Sequence, residues 1–246
     1  MDSMTHVLVQ MPHSPWSERA RWALDWHRIP YRVVGWLPGP AELWLRWRLG
    51  WPAGPVSVPV LLADDGAALA DSAAIARWAD AHGGNTTLFP EGADVWVWHE
   101  QANAMLAAGR VLSGRSVMAD DAALTEMMPP VARLLGPVGR ALARSATRAL
   151  LRKYDPVPTT DTAAVAAIRA VLDAVRPAIQ NGDHLVGALS WADISVAAAL
   201  AFVAPPDALP GLGPLARRAW TMDALASEYA DVLAWRDRIY RRHRRP

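Results

Sequence analysis

The run Val58-Pro59-Val60-Leu61-Leu62-Ala63-Asp64-Asp65-Gly66-Ala67-Ala68-Leu69-Ala70-Asp71-Ser72-Ala73-Ala74-Ile75 decides the fold. Two short apolar segments flank Asp64-Asp65-Gly66, whose residues supply the positive φ angles that a tight hairpin turn needs. Asp71-Ser72 then stands before a helical pattern that runs to His82 and stops at Gly83-Gly84, where glycine can take the left-handed cap conformation. Hairpin followed by helix makes a β-β-α unit.

Upstream, His6-Val7-Leu8-Val9-Gln10 reads as a strand closed by Met11-Pro12. Ser14-Pro15-Trp16-Ser17-Glu18 opens a segment with Trp16, Ala20, Ala23 and Leu24 at helical spacing, lasting to about His27. Proline is acceptable in a first helical turn, and a serine before it can cap the free amides. Tyr31-Arg32-Val33-Val34-Gly35 is a second strand candidate, and the stretch from Trp36 to Pro52 reads as irregular. Downstream of Pro90 the pattern is helical throughout, near 94–118, 121–150, 161–181, 190–204 and 229–243, with breaks at Pro129-Pro130, Pro156-Val157-Pro158 and Pro205-Pro206. The order predicts an α/β domain over 1–84, a linker over 85–93 and an all-α domain over 94–246.

With 52% apolar and 20% charged residues, the chain has material for a buried core and lacks the signature of disorder. It contains no cysteine, which removes disulfides, thiolate metal sites and any cysteine nucleophile. The seven histidines show no metal-ligand spacing, so no metal is expected. A net charge of +1 gives no global field for nucleic acid, and the cluster Arg241, Arg242, Arg244 and Arg245 reads as a solvated last helical turn. The longest apolar run, 194–204, falls short of the ~20 residues of a membrane span, and the first sixteen residues lack a signal-peptide pattern. The expectation is a cytoplasmic protein with neither a membrane nor a nucleic-acid partner. Lys153 is the single lysine among twenty-five basic residues, a usage suggestive of a GC-rich bacterial genome.

Four local patterns, in order, resemble the glutathione transferase superfamily, in particular its serine-type tau-, omega- and zeta-like members. Ser14-Pro15-Trp16-Ser17-Glu18-Arg19 is similar to the family's Ser/Cys-Pro-Phe-x-x-Arg. Val58-Pro59-Val60-Leu61 is similar to Val-Pro-x-Leu, where the proline is cis, and Asp71-Ser72-Ala73-Ala74-Ile75 to Glu/Asp-Ser-x-x-Ile. Ser190-Trp191-Ala192-Asp193 matches the Ser/Thr-x-Ala-Asp of a buried helix, where a capping box accounts for both polar residues. The resemblance implies a thioredoxin-like βαβ-ββα domain followed by an all-helical domain, and a homodimer.

It also implies an enzyme that binds glutathione as co-substrate and activates its thiol for attack on an electrophile, by conjugation or by lyase or isomerase chemistry, with detoxification as a typical role. Ser14, with Ser17 as the alternative, would donate a hydrogen bond to the thiolate and lower the thiol pKa. The backbone of Val58, before Pro59, would pair with the bound peptide as an added strand does. Ser72 and the helix-start amides would receive the γ-glutamyl carboxylate, and Asp71 the α-ammonium. Arg46 and Arg48, among Trp44, Trp47 and Trp51, are candidates for the glycyl carboxylate. His13, Trp16, Trp96, His99, Asn103, Met105 and Arg110 are the positions to watch in the electrophile pocket. The alternative is a non-catalytic binding or regulatory protein on the same fold.

Overall fold

A computed structural model describes residues 6–36, 40–54, 56–155, 159–180 and 182–244. Arg245 and the break at 156–158 lie outside the described residues. Strand β1 (His6–Gln10) leads through helix α1 (Pro15–Trp26) to β2 (Tyr31–Gly35), which lies parallel to β1 with His6 beside Tyr31 and Gln10 beside Gly35. A parallel pair needs such a crossover, and α1 supplies it. Helix α2 (Pro40–Arg48) precedes β3 (Val60–Leu62) and β4 (Ala68–Ala70), which complete a mixed sheet of order β2-β1-β3-β4. The hairpin turns at Gly66, φ +91°, and Asp65 Oδ1 accepts from the Ala67 amide at 2.8 Å. Helix α3 (Ser72–His82) then packs against α1.

The remainder is helical: α4 (Val95–Ala119), α5 (Asp121–Met127), α6 (Pro130–Arg133), α7 (Gly136–Tyr154), α8 (Asp161–Ala178), α9 (Trp191–Ala199) with a 3-10 turn at Leu200–Phe202, α10 (Pro214–Trp220), α11 (Asp223–Glu228) and α12 (Ala230–His243). Every residue of α9 is buried, packed on α1 and α4. Asp193 closes its start by accepting from the Ser190 amide and hydroxyl at 2.9 and 3.0 Å, and takes the Leu185 amide at 2.9 Å as well. One continuous apolar core joins α1 and α3 to these helices.

Four sequence expectations need correction. The stretch expected to be irregular holds α2: Leu45, flanked by the partly buried Ala41 and Leu49, is set against Trp36, Val56 and Val60, while Leu43, Trp44 and Trp47 stand exposed and blur the periodicity. The helical stretch expected at 121–150, with its break at Pro129-Pro130, is three helices: besides that break, Gly136 turns the chain at φ +52° and Pro137 sits in the first turn of the third. Helices α10 and α11 were not foreseen. Gly83 ends α3 in an extended conformation, φ −100°, and a side chain is excluded there because its Cβ would collide with His27.

Candidate functional site

The sheet register gathers the site. Val9 pairs with Val60 and Val60 with Ala70, so the loop after β1, the approach to β3 and the start of α3 meet at one end of the sheet. The Val58–Pro59 bond is cis, and the Pro59 carbonyl accepts from the Asp71 amide at 3.3 Å, tying those two segments together. A separate cavity of about 620 Å³, lined by His6, His27, Trp78 and His82 among others, opens toward the opposite end of β1.

Ser14 is the N-cap of α1: its Oγ accepts from the Ser17 amide at 3.4 Å, and its own amide donates to Met11 O at 3.0 Å. It is 9% exposed. A hydroxyl that accepts one amide keeps its proton for donation elsewhere. Ser17 is fully buried, and its Oγ takes the Met11 amide at 3.3 Å. Behind the loop, Arg21 donates to the Pro12 carbonyl at 2.9 Å, to the Gln10 side chain, and to Glu18 Oε2 at 2.6 Å. The other Glu18 oxygen accepts from Arg244 at 2.7 Å, and Arg244 also donates to Asp25 at 2.6 Å. The basic tail is therefore only partly solvated: Arg241 and Arg242 are exposed, but Arg244 is folded onto α1. Next to Ser14, burial and the neighbouring Arg21 lower His13 to about 4, so its imidazole is neutral at pH 7, edge-on to Trp220 at 5.9 Å.

Asp71 caps α3 with φ +109°, exposed, its carboxylate accepting from the Ala74 amide at 3.4 Å. Ser72 beside it is 1% exposed, and its hydroxyl has no hydrogen-bond partner. Leaving a buried hydroxyl unpaired costs about 1–3 kcal/mol, a cost a polar ligand removes.

Arg46 pairs with Glu42 at 3.1 Å and donates to the carbonyls of Pro52 and Gly54 at 3.2 Å each, which staples α2 to the following loop. Arg48 is exposed, 5.9 Å from the Trp44 ring. Arg19 is fully buried, and burial lowers its pKa to about 9; it bonds the Ser195 carbonyl at 3.0 Å and Asn103 Oδ1 at 2.7 Å rather than a carboxylate.

The structure divides the pocket candidates. Trp16 meets Phe202 at 6.2 Å, and the Arg110 guanidinium lies 4.0 Å from the Trp16 ring and 4.1 Å from that of Tyr154. Trp96 stacks on Phe89 at 5.5 Å under Arg77. His99, Asn103 and Met105 face inward: Trp191 Nε1 donates to His99 Nδ1 at 3.1 Å, Asn103 reaches His99 Nε2 at 3.0 Å, and Met105 is completely buried. Burial, with help from Arg19, lowers His99 to about 4. Sequence reasoning missed Tyr154, Phe202 and Trp220, which complete the aromatic wall around Trp16 and His13. Trp220 lies on an unforeseen helix, and Phe202 is one of only two phenylalanines, a rarity that was the one available signal.

The sequence profile for the glutathione S-transferase N-terminal domain matches residues 13–82. Among the solved structures that match over nearly the full length are three glutathione transferases. A glutathione S-transferase from Methylobacillus flagellatus with glutathione bound is 19% identical, TM-score 0.61, covering 98% of this chain and 96% of its own. A glutathione transferase from Phanerochaete chrysosporium is 18% identical, TM-score 0.65, covering 99% of both. One from Methylobacterium radiotolerans in complex with glutathione sulfonate is 19% identical, TM-score 0.57, covering 97% and 91%. Residues 13–82 thus match the glutathione S-transferase N-terminal domain, and the whole chain shares the fold of the solved glutathione transferases. No curated protein matches it. As the glutathione transferase fold requires, the thioredoxin-like sheet comes first and the helices follow. Among the described residues no helix is long and apolar enough to cross a membrane, and no group of three or more His, Asp or Glu is placed to hold a metal.

Proposed function

We propose that this chain is a glutathione-dependent transferase, with residues 1–84 binding the thiol peptide, 85–93 as linker and 94–246 providing the electrophile pocket. The observation that carries this reading is the buried, unpartnered Ser72 hydroxyl at the start of α3, at the same sheet end as Ser14. The γ-glutamyl carboxylate would take that hydroxyl and the helix-start amides, and Asp71 the α-ammonium. Val58 lies outside every strand of the sheet, which suits its backbone to an added peptide strand. Arg46 is engaged by Glu42 and two carbonyls, which favours Arg48 for the glycyl carboxylate.

Ser14 is the catalytic donor in this reading, since it keeps some exposure at the start of α1 where Ser17 is fully buried. The Ser14 hydroxyl donates to the ligand's sulfur, the thiol proton leaves to solvent, and the thiolate forms a C–S bond at the electrophilic carbon as that carbon's bond to its leaving group breaks, chloride departing with the electron pair in the case of a chloronitrobenzene. Calorimetry with glutathione and conjugation of a chloronitrobenzene test the assignment. Binding weaker than millimolar would sink it.

We further infer a homodimer in the cytoplasm. Two apolar faces support the dimer: Leu43, Trp44, Trp47 and Trp51 around α2, with Trp47 63% exposed, and Val131, Leu134, Leu135, Val138 and Leu142 along α6 and α7, with Leu134 86% exposed. Contiguous exposed apolar surface of this kind marks interaction sites. Sedimentation as a single 26.7 kDa species at micromolar concentration would contradict the dimer.

A further inference from the structure

Among the described residues, the interior arginines are answered by acceptors, with one exception. Arg19 bonds a carbonyl and Asn103, Arg21 bonds Glu18, Arg236 bonds Asp237 and the Ala204 carbonyl, and Arg244 bonds Glu18 and Asp25. Arg110 has none of these. Its guanidinium is packed against the rings of Trp16 and Tyr154, and among the described residues it makes no side-chain hydrogen bond and no ion pair. Ring faces about 4 Å from Cζ meet the cation by its charge and leave its N–H donors unused.

The neighbourhood braces that fork. Gly109, one residue earlier, admits the Phe202 side chain against α4, since a Cβ there would collide with it. Phe202 also meets Trp16, so Arg110 is braced on the same aromatic wall. Arg110 is half-buried, and burial lowers its pKa, so it carries a desolvation cost that no carboxylate of the described chain offsets. Trp16 follows Ser14 by two residues, so their Cα atoms lie at most ~7 Å apart. His13, neutral at pH 7, adds no competing cation there.

We propose that Arg110 is an anion-recognition residue of the electrophile pocket, and that the second substrate is a small aromatic or conjugated electrophile bearing a carboxylate. The apolar part lies against the aromatic wall, and the carboxylate takes two parallel N–H bonds from the fork, the geometry in which arginine binds carboxylates most strongly. The inference rests on assigning this pocket to the electrophile, but its test needs no turnover.

The experiment is equilibrium binding to the full chain of the unreactive pair 4-nitrobenzoate and 4-nitrobenzamide, read by tryptophan fluorescence and calorimetry. Wild-type protein should bind the carboxylate at least tenfold more tightly. In Arg110→Met, which keeps an apolar stem between the rings, the two affinities should come within twofold of each other. Arg110→Lys should retain part of the preference, and circular dichroism verifies that both variants are folded. Equal binding of the pair by wild type, or a preference that survives Arg110→Met, overturns the proposal. So does a loss of glutathione affinity in Arg110→Met without loss of the benzoate preference, which would assign the fork to the thiol peptide. A benzoate preference that needs Arg110 in a protein unable to bind glutathione would leave the anion site standing and remove the transferase reading.

Discussion

Cutting the link between Glu18 and Arg244 should destabilise the protein far more than an ordinary ion pair would. The Glu18 side chain is 1% exposed and that of Arg244 13%, with 2.7 Å between them. Removing one member of a buried pair costs about 3–5 kcal/mol because the other charge is stranded, against about 0.2–1 kcal/mol for a surface pair. Glu18 keeps Arg21 after Arg244→Met, and Arg244 keeps Asp25 after Glu18→Gln, so each single variant should fall near the lower bound, about 3 kcal/mol. In a chain of this size that is a fall in Tm of roughly 6–12 °C. The double variant should lose less than the sum, with a coupling of about 1–3 kcal/mol. Urea unfolding followed by circular dichroism and by fluorescence gives the cycle, coincidence of the two probes licensing the free energies. Additivity within about 0.5 kcal/mol would refute the reasoning. Glu18→Gln should also weaken glutathione binding more than Arg244→Met does, because Arg21 anchors the Pro12 carbonyl just before Ser14.

Ser14→Ala should lower kcat/KM for conjugation about 10²-fold, the usual loss of a donor to a developing anion, with less effect on glutathione affinity; unchanged turnover would remove Ser14 from the chemistry. His13 and His99 have pKa values lowered by burial to about 4, so unfolding takes up protons below pH 6.5. Stability is then full above the unfolded value of 6.5 and is lost as pH falls toward 4, about 3 kcal/mol for His99 alone, and a urea midpoint that stays flat from pH 7.5 to 4.5 would contradict this. Gly109→Ala should destabilise by about 1–3 kcal/mol despite the better helix former, because the new methyl meets Phe202. A thermal melt at or above the wild-type Tm would show that Phe202 can move aside.

What was legible in the sequence was local. The Asp-Asp-Gly turn, the strand of His6–Gln10 and the caps at Ser14 and Asp71 are dictated within a few residues, and they placed the sheet and the helix starts correctly. Helix α2 escaped because its inward row, Ala41, Leu45 and Leu49, is narrow and the exposed Leu43, Trp44 and Trp47 between them mask its spacing. The cation slot escaped in part: Arg110 was singled out, but its partner Tyr154 lies forty-four residues on, at the end of α7, and Phe202 further still. Arg244 was misjudged for the same reason. A run of arginines looks solvated until the partner carboxylates are in place, and Glu18 belongs to the first helix.

The distance along the chain between those two residues has a consequence for synthesis. Arg244 leaves the ribosome 226 residues after Glu18, which at ordinary elongation rates is roughly ten to forty-five seconds later. During that interval α1 and the sheet can assemble with Glu18 answered by Arg21 alone. The sheet domain thus emerges before the helical one yet is locked only after it, and a nascent chain halted before residue 244 should expose it to proteases.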